Sequence, residues 1–270
     1  MGFVLKQISN VGSANPIVAR LSLQFHEIIA FYDLADDAKE KIGLVLNKQI
    51  QQRLLACEKI AIELNNEITD ALKIIREMGL KTQSNGRVLE LPHIIGLEER
   101  IEPYLYNAKS CLRDILKIFN IVFGTNFNET RYDLAIKWAS EKFGAEDALT
   151  IFLKTDHDLW IHKIIRMRNA IEHPGGHSGL LKIQNFEVKS DNAQATITEP
   201  SWNLNDEIPT LIRCDIHVFV NNILEFAEDV VISALEKVGK PSMLAVQEIP
   251  KDQRHQEAPV RFKIGLVQEL

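Results

Sequence analysis

The chain has 270 residues, of which 46% are hydrophobic and 25% charged, an ordinary globular mix with enough length to bury a core of its own. Its 13 glycines and 9 prolines are few, which excludes collagen-like repeats and bulk low-complexity disorder and favours long regular elements. With 31 basic against 37 acidic residues the formal charge is −6, which excludes a protein that coats duplex nucleic acid but leaves room for one that holds a single strand locally.

Met1-Gly2-Phe3-Val4-Leu5-Lys6 carries neither a signal-peptide pattern nor the Ser or Thr at position 6 that myristoylation needs. Lys117, Asn120, Asn221 and Asn222 interrupt the best apolar runs well short of the ~18 residues of a membrane span. Cys57, Cys111 and Cys214 are odd in number and far apart, and read as buried thiols in a reducing compartment. A cytoplasmic protein with no membrane contact is expected.

Residues Ile17, Leu21, Phe25, Ile28 and Ile29 recur at helical spacing from Pro16 to Phe31. A longer stripe runs Ile42, Leu46, Ile50, Leu54, Cys57, Ala61, Leu64, Ile68, Leu72, Ile75, predicting one rod on the order of 50–60 Å long. Gly79 and Ser84-Asn85-Gly86 close it. Further helices are predicted over 98–123, ended by Gly124, over 129–143, ended by Gly144, and over 146–172, ended by His173-Pro174-Gly175-Gly176. Alternation at Leu181–Val188 and Ala193–Thr198 around Ser190-Asp191-Asn192 predicts a projecting β-hairpin over about 181–198, its apolar face formed by Leu181, Ile183 and Val188. A last helix is expected from Asp215, itself read as a cap, to Lys237. The fold class is mainly all-α: a helical bundle over 1–240 with an inserted hairpin, and a 241–270 tail with one short strand at Val260–Val267.

Four of the eight histidines, His157, His162, His173 and His177, crowd one helix end beside Trp160, Lys163, Arg166, Arg168, Asn169 and Glu172. No other stretch concentrates groups that titrate near neutral pH. Ile161 to Arg168 is seven residues, about two turns, so Arg168 falls in line with apolar positions. A guanidinium there is costly unless it is paired or directed into a wet cleft. Arg168 and His173 lie about 140° apart on an ideal helix, and meet only if the last turn unwinds or a second copy faces the first. The histidine spacings match no common zinc site, and no Gly-rich phosphate loop is present, so no metal or cofactor is expected. Trp160 and Met167 read as core; Trp202, between polar residues, reads as a partner contact.

Arg168-Asn169-Ala170-Ile171-Glu172-His173 resembles the Arg-Asn-x-x-x-His signature of the HEPN superfamily, in which the motif closes a long helix of a bundle. Trp160 upstream and Pro174-Gly175-Gly176 downstream resemble many members too. The resemblance covers this motif and the helix layout over about 220 residues, while the hairpin and tail lie outside it. It implies a HEPN-like bundle and a metal-independent endoribonuclease in a toxin, defence or RNA-processing system. RNA, a second copy of the chain, and an antitoxin or nucleotidyltransferase-type protein are the implied partners. His173 would move the proton, Arg168 would stabilise the phosphorane charge, Asn169 would orient the histidine or a phosphate oxygen, and Glu172 would tune either catalytic residue. Against this stands a catalytically inactive helical interaction or dimerisation module. There Arg168 and Glu172 are an ordinary i,i+4 ion pair and His173 a helix cap.

Overall fold

The computed structural model describes residues 11–79, 81–82, 89–191, 194–241 and 243–266. The expected Ser84-Asn85-Gly86 turn lies outside them. With 63% helix against 13% strand, the chain is mainly α. The helices are α1 over residues 16–30, α2 over 36–78, α3 Leu97–Phe123, α4 Tyr132–Phe143, α5 over 148–172 and α6 Ile212–Glu236. The chain divides into two compact units, one made of Met1–Gln52, Arg113–Arg131 and Leu224–Leu270, the other of Arg53–Leu112 and Tyr132–Ile223.

Three of the helices change pitch, and the apolar spacing explains where. Ile42, Leu46, Ile50 and Leu54 recur in steps of four. Each such step turns a regular α-helix by about 400°, so three in a row carry a side chain about 120° off its face. Val45–Ile50 is instead a wider π-helical turn, and all four residues are fully buried. The same device appears in α1, where Ala19–Gln24 is π-helical and Ile17, Leu21, Phe25 and Ile29 all face the core. In α5 it spans His157–Ile161 and lets Leu153 and Ile161, eight residues apart, both be buried. The helix starts have ordinary chemistry. Asn15 accepts from the Ile17 N–H at 2.8 Å, and Asp147 from the Leu149 N–H at 3.0 Å.

In the first unit, the Glu228 carboxylate is fully buried. It accepts from Arg20 Nε at 2.9 Å, from Arg20 Nη2, and from Gln24 Nε2 at 2.8 Å. Gln24 Oε1 in turn accepts the backbone N–H groups of Arg261 and Phe262, each at 2.7 Å. The tail therefore holds two strands rather than one: β8 Leu244–Glu248 pairs antiparallel with β9 Phe262–Leu266. Val246, Ile264 and Phe262 are half-buried in this hairpin, so it needs the anchor that Gln24 supplies.

In the second unit, short β1 Lys81–Thr82 pairs with β2 Leu89–Glu90. The hairpin expected over 181–198 is divided. Strand β3 Leu181–Gln184 pairs not with the next strand but with β6 Ser201–Leu204, which also pairs with β7 Thr210–Leu211. The hairpin proper is β4 Glu187–Asp191 with β5 Gln194–Thr198. The break falls at Asn185-Phe186 for a side-chain reason. Asn185 accepts from the Ile94 N–H at 3.0 Å and donates to the Ile94 carbonyl at 2.9 Å, while Phe186 is buried.

Trp202 is likewise corrected. On β6 it is 1% exposed, its indole N–H donating to Asp215 Oδ2 at 2.7 Å and its ring stacked on Phe219 at 6.2 Å. It anchors the sheet from within and is shielded from the surface. Asp215 lies inside α6 rather than capping it, and accepts from Thr210 at 2.6 Å and Lys163 at 2.9 Å. Burial raises its pKa, but the bonds from Thr210, Lys163 and Trp202 outweigh burial and hold the carboxyl below the usual range. Cys57 and Cys111 are buried, whereas Cys214 is exposed; two residues past buried Ile212, it points away from the core. Burial pushes the Cys57 thiol well up. No helix among the described residues is long and apolar enough to cross a membrane.

Replacing Glu228 with Gln should destabilise the protein by about 3–5 kcal/mol, because Arg20 would remain as a buried, uncompensated charge. Urea denaturation of the two proteins measures it, and a loss below about 1 kcal/mol would assign the network a minor role.

Candidate functional site

The site is built on the last three turns of α5 and the loop that follows. His162–Glu172 is regular α-helix, so the spacing of Arg168 from Ile161 and Ile164 holds, and Arg168 is only 9% exposed. The helix stops where Pro174 requires it to. His173 donates its N–H to the Asn169 carbonyl at 2.8 Å but has left the helix, at φ −134° and ψ 73°. Its side chain is exposed.

The loop behind His173 is tightly tied. Gly175 N–H bonds the Gly179 carbonyl at 2.9 Å, and Gly179 N–H bonds the Gly176 carbonyl at 2.8 Å. Asn205 closes it from the side, accepting from the Leu180 N–H at 2.8 Å and donating to the Ser178 carbonyl at 3.1 Å. Gly179 has φ +80°, and a Cβ there would fall 1.6 Å from Asn205 Oδ1. Only glycine fits that position.

Arg168 lies beside α3. Its guanidinium carbon is 5.7 Å from the Tyr106 ring centroid, and that of Arg53, from α2, is 6.0 Å from the same ring. Arg168 Nη1 is buried and has no hydrogen-bond partner, a condition it shares among the described residues with Thr150 Oγ1. Glu172 Oε2 stands 3.8 Å from Arg168 Nη1 and 3.8 Å from Lys109 Nζ, outside hydrogen-bond range of both. Lys109 donates instead to Asn169 Oδ1 at 2.6 Å. Of the four predicted residues, Arg168, Asn169 and Glu172 thus gather with Lys109 and Tyr106, while His173 stands apart in solvent.

Tyr106, Lys109 and Arg53 escaped the sequence reading. Tyr106 and Lys109 are three residues apart and share a face of α3, a signal present in the sequence. That this face meets α5 is a tertiary fact. The other cations near the motif are engaged: Lys163 with Asp215 at 2.9 Å and Arg166 with Glu207 at 3.3 Å. Trp160 is buried and donates to Asp156 at 2.8 Å, and Met167 is core.

The π-turn in α5 brings His157 and His162, five residues apart, to a ring separation of 5.6 Å. Burial, then the neighbouring His157 and Arg166, hold the His162 pKa below the ordinary value. Among the described residues no three His, Cys, Asp or Glu side chains gather closely enough to hold a metal ion. Comparison with protein-family models, curated proteins and solved structures gave no match.

Two measurements test this geometry. In an NMR pH titration His162 should titrate below the ordinary histidine range and shift upward in His157→Ala. Because its folded pKa is depressed, its contribution to stability is present above the unfolded value of about 6.5 and is lost as pH falls from there through the lower folded value. Separately, Gly179→Ala should lower the melting temperature and broaden the backbone NMR signals of 174–180, whereas unchanged signals would mean that Asn205 does not hold the loop.

Proposed function

We propose that the chain is a metal-independent endoribonuclease of HEPN type, with Arg168 and His173 as its catalytic pair. One observation carries the reading. A nearly buried guanidinium with an unfilled donor at Nη1 sits on the last turns of a helix whose next residue is an exposed imidazole on an anchored loop. An unfilled buried donor is expensive, and a site that receives an anion gives that expense a purpose.

The chemistry follows from the residue types. RNA carries its own nucleophile, the 2′-hydroxyl, which attacks the adjacent phosphorus as the P–O5′ bond breaks. His173, an exposed imidazole whose ring nitrogens can both take and give a proton, suits proton transfer at these oxygens. Arg168, permanently charged and fork-shaped, suits the non-bridging oxygens, where negative charge accumulates. The products are a 2′,3′-cyclic phosphate and a 5′-hydroxyl. DNA, lacking the 2′-hydroxyl, is not cut.

Within one chain Arg168 is buried and His173 exposed, so the cleft in this reading is shared by a homodimer. Arg168 of one copy then acts with His173 of the other. The burial of Arg168 against Tyr106 also favours a second reading, a catalytically silent dimerisation module in which the motif is structural.

Incubation with RNA in EDTA decides between them. Cleavage to cyclic phosphate is expected, with His173→Ala slower by about 10²–10⁴-fold and Arg168→Lys also impaired, because lysine keeps the charge but loses the fork. Mixing the two inactive variants should restore part of the activity, since one mixed dimer holds an intact Arg168 and an intact His173. Undiminished cleavage by both single variants, or none by the native protein, would favour the silent module. A monomeric mass by light scattering would remove the shared cleft.

A further inference from the structure

The face that joins α3 to α5 has features the catalytic pair does not use. Tyr106 is 48% exposed, although it lies beside two guanidinium groups, those of Arg168 and Arg53. One turn further along α3, Lys109 is held by Asn169. Two guanidinium groups thus flank an accessible aromatic ring, with the Lys109 ammonium about one helical turn along α3, on a chain whose overall charge is negative. Local positive charge with an interleaved aromatic is the combination that holds single-stranded nucleic acid, the cations taking phosphates and the ring a base.

The acid in this cluster is placed unusually. Glu172 Oε2 is equidistant, at 3.8 Å, from Arg168 Nη1 and Lys109 Nζ, and bonds to neither. A phosphate, able to take the Arg168 fork and Lys109 together, forms shorter charge-assisted bonds than this carboxylate does.

We propose that Tyr106, Arg53 and Lys109 form, with Arg168, a subsite for single-stranded RNA, in which Glu172 occupies the phosphate position until RNA displaces it. The subsite rests on the ribonuclease reading for its substrate, and deepens it. Tyr106 stacks a base, Arg53 and Lys109 hold flanking phosphates, and rotation of Glu172 into solvent opens Arg168 Nη1 to the chain.

Fluorescence anisotropy with a labelled 2′-O-methyl oligoribonucleotide, which lacks the attacking hydroxyl, measures this apart from cleavage. The full chain should bind it. Tyr106→Leu should weaken binding at least about fivefold through the lost stack. Lys109→Ala should lower the log–log salt slope by about 0.7, as one phosphate contact is removed. Glu172→Gln should tighten binding, because the competing charge is gone; this residue is half-exposed, and its amide variant keeps the shape. Native affinity in both Tyr106→Leu and Lys109→Ala, or weaker binding by Glu172→Gln, overturns the subsite, as does absence of binding by the native chain. Running the same proteins on unmodified RNA separates the two readings. Binding with the expected variant effects but no cleavage keeps the subsite and overturns the nuclease. Cleavage with unaltered affinity in the variants does the reverse.

Discussion

An α-helix advances 100° per residue, and the long helices of this protein depend on how their sequences depart from that period. Apolar residues at strict intervals of four drift around a regular helix. The chain corrects the drift with wider turns at Ala19–Gln24, Val45–Ile50 and His157–Ile161. Each restores the buried stripe, and the third also sets the phase of everything that follows it on α5. Because His162–Glu172 is regular, a helix that leaves the π-turn with Ile161 and Ile164 buried must bury Arg168 as well.

That consequence dominates the electrostatics of the motif. Arg168 is drawn into a largely apolar face, where the Tyr106 ring covers it on one side and an acid at 3.8 Å balances its charge on the other. A permanently charged group cannot shed its proton to escape burial. One donor remains unfilled, a state a ligand anion would relieve. His173 is treated in the opposite way. Proline releases it from the helix, and the Gly175–Gly179 turn with Asn205 fixes the backbone behind it, so its imidazole is exposed on a stiff support.

The β-structure of the second unit shows how buried polar side chains direct strand pairing. Trp202 needs an acceptor for its indole N–H once its ring is buried, and Asp215 provides one while also binding Thr210 and Lys163. Asn185 acts on a backbone that has no strand partner there, matching both the donor and the acceptor of Ile94. These two contacts explain why β3 turns to β6 and leaves β4 and β5 to form a hairpin by themselves.

By itself the sequence determined the helical content, the helix stops at Gly79, Gly124, Gly144 and Pro174, and the burial of Arg168, because each follows from local periodicity, proline and glycine. It also contained the steps of four that mark the π-turns of α1 and α2, and the shared face of Tyr106 and Lys109. Tertiary structure decided the rest. Whether Trp202 meets solvent or Asp215, whether the strand beginning at Leu181 continues past Asn185, and which acid lies beside Arg168 are questions of long-range partners. A side chain such as Asn185, Gln24 or Asn169 can satisfy its hydrogen bonds in many ways. Local spacing cannot choose among them, and only the packing of distant segments brings one set within reach.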